Sequence, residues 1–261
     1  MLYSDGSIHK QKSTWIIQFT QTENRKNLVE LFNTLIGSNK SVYSKIQFNN
    51  KITYFCSVSS KIMGEDLIKL GCTPSKSLTL KFPTFISTEL MPHFIRGLFD
   101  GDGCIWEGKR KKMIVKDRNI KSGKRERIVH NVKFTYTGNV QFVSDLQKYL
   151  YSKLSLTKIT KLNFSKAKST KHICTMEYSG RRNIEKLYHY MYDNATYYEE
   201  NKFLKFKTIC ASVKKLTEDT SLTAGTPEMV ISNQVSKEKG STTIPEMGVE
   251  SSDSKCEALN K

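Results

Sequence analysis

Chemistry in this sequence concentrates at two places where carboxylate meets glycine: Asp102 in FIRGLFDGDGCIW (residues 94–106) and Asp5 in LYSDGSI (residues 2–8). In TELMPHFIRGLFDGDG the residues Phe94, Ile95, Leu98 and Phe99 recur at helical spacing, Pro92 suits a first helical turn, and Gly101 or Gly103 ends the run. Gly97 and Gly101 lie four apart, on one stripe without side chains, so a second helix can approach closely there. A partner ending in the other Asp-Gly element would bring Asp5 beside Asp102. Two carboxylates about 4 Å apart repel by roughly 4 kcal/mol at an effective dielectric near 20, and a helix C-terminus disfavours anions further. A hard divalent cation such as Mg²⁺ or Mn²⁺ relieves that repulsion, takes carboxylate oxygen and can bridge to a phosphate. DGDG alone is also a common turn, and the twelve-residue spacing and closing Glu of a calcium loop are absent.

Charge names the partner class. The 261 residues carry 42 Lys and Arg against 25 Asp and Glu, a formal net charge of +17, which points to a polyanion, with nucleic acid ahead of anionic membrane. No apolar run reaches eighteen residues and no signal-peptide pattern opens the chain, so the expectation is a soluble intracellular protein without a membrane partner. The six cysteines show no C-x-x-C pair and no His at zinc-ligand spacing; they read as reduced thiols, mostly small core residues. Richness in Lys, Asn, Ile, Ser and Thr fits an A+T-rich genome, whether organellar (mitochondrion or chloroplast), viral or microbial.

Residues 214–261 lack aromatics and any sustained apolar period, and read as a disordered tail; with six Lys against eight acids there, the positive charge belongs to residues 1–213. Across residues 1–213 a single succession of patterns occurs twice. STWIIQFTQT alternates as a half-buried strand. ENRKNLVELFNTLIG follows with helical spacing, Asn24 as candidate cap and Gly37 as stop. KSVYSKIQFNNKITYFCSV reads as a hairpin turning at Asn49 and Asn50. Val42, Ile46, Phe48, Ile52, Tyr54 and Val58 would be its buried face, with Tyr43, Lys45, Gln47, Thr53 and Ser57 opposite. KIMGEDLIKLG closes the unit as a short helix. The second half repeats the order with NVKFTYT, NVQFVSDLQKYLYSKL, TKITKLNF, HICTMEYS and RRNIEKLYHYMYD.

The expected fold is therefore α+β, with antiparallel sheets and helices on one face, divided into units 1–86 and 87–213. The open strand faces are polar and basic, suited to phosphates and base edges. Candidate contacts are Gln18, Thr20, Tyr43, Lys45, Gln47, Lys133, Thr135 and Lys171. The second unit also holds an insertion, 107–131, with ten Lys or Arg and three acids, expected as a basic hairpin turning at 121–124; Lys109, Arg110, Lys111 and Lys112 would grip phosphate.

FIRGLFDGDG closely resembles the signature helix of LAGLIDADG homing endonucleases, and LYSDG resembles the last residues of a second, truncated copy in which Ser4 keeps the small residue matching Gly101. The resemblance extends over residues 1–213 and is to a monomeric, single-chain member. It implies two pseudo-symmetric αββαββα repeats whose saddle-shaped sheets, with helices on the outer face, lie on the major groove of double-stranded DNA. It also implies Mg²⁺-dependent (or Mn²⁺-dependent) cutting of both strands at a long, nearly palindromic site. On this sequence the metal ligands fall on Asp5 and Asp102. A polar residue that orients water falls on Gln21, with Tyr136 at the corresponding place in the second half. The basic residues near the scissile phosphate fall on Lys76 and Lys202. Two other readings use the same scaffold: a maturase that binds intron RNA, and a DNA-binding protein that no longer cuts.

Overall fold

The computed structural model describes residues 1–48, 50–114, 125–164 and 172–222. Residues Met1–Val213 form one unit. Its strands make two four-stranded antiparallel sheets of the same order. The first pairs β1 (Gly6–Gln11), β2 (Thr14–Thr22), β4 (Ile52–Ser59) and β3 (Tyr43–Ile46), in that order across the sheet. The second pairs β5 (Gly103–Ile114), β6 (Arg125–Asn139), β8 (Ile173–Ser179) and β7 (Asn163–Phe164).

Helices cover one face of each sheet. On the first lie α1 (Lys26–Leu35) and α2 (Lys61–Lys69), and on the second α4 (Val140–Leu154) and α5 (Arg181–Tyr192). The two-residue alternation decides which strand face they meet: Ile17, Phe19 and Gln21 of β2 are buried, as are Phe134 and Tyr136 of β6 and Cys174, Met176 and Tyr178 of β8. Leu28, Val29 and Phe32 of α1 complete the first core. Phe142, Val143, Leu146 and Leu150 of α4 join the second, where Phe99 stacks on Phe134 at 4.9 Å between ring centroids. Helix starts are fixed by local acceptors: Ser60 Oγ takes the Met63 amide at 3.2 Å, and Asn139 Oδ1 takes that of Phe142 at 2.9 Å. Two helices remain, α3 (Met91–Asp102) ahead of the second sheet and α6 (Glu200–Leu222) after it.

Several expectations need correction. Ile46 and Phe48 are exposed, 68% and 108%, because β3 is the edge strand of its sheet and ends at Ile46; Cys56 holds the core position on the neighbouring strand. TKITKLNF forms only the two-residue strand β7, since Thr160 is drawn off to Glu177 O and to the Gln147 side chain. Asn24 does not cap α1. A 3-10 turn, Glu23–Arg25, intervenes, and Thr22 donates to Asn24 Oδ1 at 2.6 Å. Gly37, at φ +63, does end that helix in the left-handed region, which glycine enters without strain. Cys56, Cys72, Cys174 and Cys210 are buried free thiols. The basic insertion is a long hairpin in its backbone, paired without interruption from Gly103↔Tyr136 to Ile114↔Arg125; its expected turn at 121–124 lies outside the described residues. The tail expected from 214 is described only as far as Leu222, where α6 ends.

Candidate functional site

Both aspartates stand at the entrance to the first strand of a sheet. Asp5 precedes β1, in a turn whose Ser4 and Asp5 amides bond to Met1 O at 3.2 and 3.1 Å. Asp102 ends α3, whose Gly103 cap is already extended and leads directly into β5. The small-residue stripe brings the two ends together, although a turn rather than a second helix meets α3. A Cβ on Gly101 would overlap Ser4 Cβ and Oγ and lie 3.1 Å from Asp5 Oδ2, whereas one on Gly97 would meet only the Met1 nitrogen at 3.1 Å. The approach is therefore much closer at Gly101 than at Gly97. Gly101→Val is expected to destabilise the protein by about 1–3 kcal/mol through overpacking, with Gly97→Ala near neutral, as thermal unfolding of the two variants would show.

Around this junction the expected residues gather. Gln21, which is buried, donates from Nε2 to Asp5 Oδ2 at 2.6 Å. Lys76 Nζ donates to Ser4 O at 3.3 Å and to Gly6 O. Burial lowers the Lys76 ammonium from its ordinary range, against which the Cys72, Asp102 and Asp5 charges act. Burial raises the Tyr136 phenol, and the charges of Asp102 and Asp5 raise it further. Both carboxylates thus act on Lys76 and on Tyr136. The halves differ by two residues of register here: Gly6 faces Phe19, two before Gln21, while Gly103 faces Tyr136 itself. A cavity of about 190 Å³ opens beside Asp5 and Gln21, with Gly97 and Gly101 of α3 in its wall.

Lys202 meets the end of α3. Its Nζ donates to Phe99 O, Asp100 O and Gly101 O at 2.9, 2.8 and 2.9 Å, closing the C-terminal turn that carries Asp102. Lys76 does the same for the turn that carries Asp5, so the two lysines hold equivalent positions in the two halves. Lys202→Met leaves three terminal carbonyls without this donor and is expected to cost about 1.5–3 kcal/mol, measurable by denaturant unfolding.

Sequence reasoning missed the polar network behind the site. Asp100, also buried, accepts from Tyr192 Oη at 2.7 Å and from the Glu199 amide at 3.1 Å; burial pushes its carboxyl up to about 6, opposed by those bonds and by Lys202 and Arg96. The buried Arg96 donates to Tyr197 O at 2.8 Å and Met191 O at 2.9 Å. Arg96 and Asp100 are four apart within the apolar run of α3, and that spacing was the available signal.

On the open faces, Gln18 Nε2 donates to Thr20 Oγ1 at 2.9 Å, Gln47 Nε2 to Thr53 Oγ1 at 3.2 Å, and Tyr43 and Lys45 are exposed. Lys133 pairs with Glu177 at 3.0 Å, and Thr135 is half-buried beside them. Lys109, Arg110, Lys111 and Lys112 lie in β5 opposite residues 127–130, with side chains outside what is described, and Lys171 lies outside the described residues. Among the described residues no group of three His, Cys, Asp or Glu could hold a metal ion, and no helix is long and apolar enough to cross a membrane.

The sheets, their order and the helices on one face give the α+β fold of the single-chain LAGLIDADG homing endonucleases. The likeness is carried by solved structures; no protein-family model and no curated protein matches the sequence. The I-LtrWI LAGLIDADG homing endonuclease bound to target DNA superposes with a TM-score of 0.52 at 14% identity, over 85% of this chain and 92% of that one. The LAGLIDADG meganuclease I-AabMI bound to uncleaved DNA gives 0.51 at 14% identity, over 83% and 90%. The I-SmaMI LAGLIDADG homing endonuclease bound to cleaved DNA gives 0.51 at 16% identity, over 85% and 89%.

Proposed function

We propose that this protein is a site-specific endonuclease of double-stranded DNA, built from repeats 1–86 and 87–213, with Asp5 and Asp102 as metal ligands. The observation that carries the reading is the junction where Gly101 and Ser4 touch beside Asp5, with the charges of Asp5 and Asp102 acting together on the half-buried Lys76 and the buried Tyr136. Mg²⁺ is held by one or two carboxylates together with substrate phosphate oxygens, so a pair of aspartates suffices. When bound, Mg²⁺ (or Mn²⁺) supplies Lewis acidity at the scissile phosphate and a nucleophile at neutral pH.

The chain's own residues do the rest. Gln21 fixes the Asp5 carboxylate through Oδ2, which leaves Oδ1 to turn toward a cation. Lys76 and Lys202 act on the aspartates through the backbone turns that bear them, as positioning residues. The open strand faces supply Gln18, Thr20, Tyr43, Lys45, Gln47 and Thr135 as donors and acceptors toward a groove, and the excess of positive charge steers the chain to DNA.

The test is incubation of the full chain with a library of duplexes and Mg²⁺ or Mn²⁺, with mapping of the ends. A staggered break at one long site, in both strands, is expected. Tight, salt-dependent duplex binding without nicking would indicate a DNA-binding protein instead. Intron-dependent RNA binding that survives removal of both aspartates would indicate a maturase.

A further inference from the structure

We infer that Glu177, with Lys133, is a specificity-determining element that reads one C·G base pair in the major groove. The inference rests on the DNA-binding side of the function proposed above. Register and alternation place Trp106, Lys133, Thr135 and Glu177 on the open face of the second sheet, opposite the helices. Among the described residues of both open faces, Glu177 is the single acid; every other polar group there is neutral or basic.

A carboxylate on such a face has few uses. It repels phosphate and can only accept hydrogen bonds. In the major groove the donors are exocyclic amines, and a Glu characteristically accepts from cytosine N4 while Lys donates to guanine O6 or N7. Lys133 Nζ and Glu177 Oε2 are 3.0 Å apart, with side chains 35% and 27% exposed, so a donor and an acceptor stand together and remain accessible. The Glu177 backbone is held from both sides, by pairing with Thr135 and by the Thr160 hydroxyl on its carbonyl at 2.5 Å. The side chain is therefore presented from a fixed point rather than from a loop. A surface ion pair with no reading role is the competing account, and it predicts no effect on base preference.

The test is selection of bound sequences from a pool of random-sequence duplexes without divalent metal, using the full chain and its Glu177→Gln and Glu177→Asp variants. The parent chain should prefer C·G by about tenfold or more at one position. Glu177→Gln, which adds an amide donor, should lose that preference and move toward adenine there; Glu177→Asp should keep it in weakened form. Preferences elsewhere should be unchanged, which also shows that the variants are folded. An identical preference in the parent and Glu177→Gln overturns the inference while leaving the endonuclease reading in place. A parent chain that retains no duplex overturns both.

Discussion

Asp102→Asn should abolish DNA cutting, by at least about a thousandfold, while leaving duplex binding intact. Asp102 is exposed at the end of α3, so the substitution buries nothing new and its cost to the fold is small. On the proposed mechanism it removes half of the negative charge that would hold the cation. Metal catalysis contributes several kcal/mol of transition-state stabilisation, and each 1.36 kcal/mol is a factor of about ten in rate. Binding should hold or tighten, because a carboxylate facing phosphate is repulsive until a cation intervenes. Asp5→Asn should behave alike, since asparagine retains an acceptor for Gln21 Nε2. Gel assays of binding without metal and of cleavage with Mg²⁺ separate the two effects. Undiminished cleavage by Asp102→Asn would remove the aspartate from the mechanism.

Much of this site was legible because it obeys local rules. The Phe94, Ile95, Leu98 and Phe99 spacing made α3 visible, Pro92 and Gly103 marked its ends, and the period of two in STWIIQFTQT identified β2 and the face carrying Gln21. The DGDG string was conspicuous, but its two carboxylates go different ways, Asp102 standing exposed at the end of α3. Asp100 turns inward to Tyr192 and the Glu199 amide, contacts separated from it by 92 and 99 residues, and no local pattern encodes a partner at that distance. The carbonyl contacts of Lys76 and Lys202 were hidden for a different reason: a flexible side chain can reach either phosphate or backbone, and no local pattern says which. Ile46 and Phe48 show the weakness of alternation at an edge, where period two persists although the side chains stand exposed.

The largest effect on stability should come from Glu199→Ala. Glu199 is 3% exposed and precedes α6; its carboxylate takes the Lys202 amide at 2.7 Å and the Asn201 side chain at 3.1 Å, and lies 3.7 Å from Arg25 Nε. Arg25 follows β2 in the first half of the chain and is 9% exposed, with one buried guanidinium nitrogen, Nη1, already lacking a partner. Removing Glu199 would leave that cation buried without its counter-charge and strip the first turn of α6 of an acceptor. Breaking a buried pair on one side costs about 3–5 kcal/mol, which in a chain of this size lowers the melting temperature by roughly 10 °C. Arg25→Met alone should cost less, since the Glu199 carboxylate left behind keeps the Lys202 amide and the Asn201 side chain as donors. The double variant should be more stable than Glu199→Ala, because the uncompensated guanidinium is gone. Calorimetry of the four proteins gives the coupling directly. If the double variant is no more stable than Glu199→Ala, then Glu199 acts through α6 alone, and the cross-chain contact with Arg25 contributes nothing to holding the aspartate-bearing turns together.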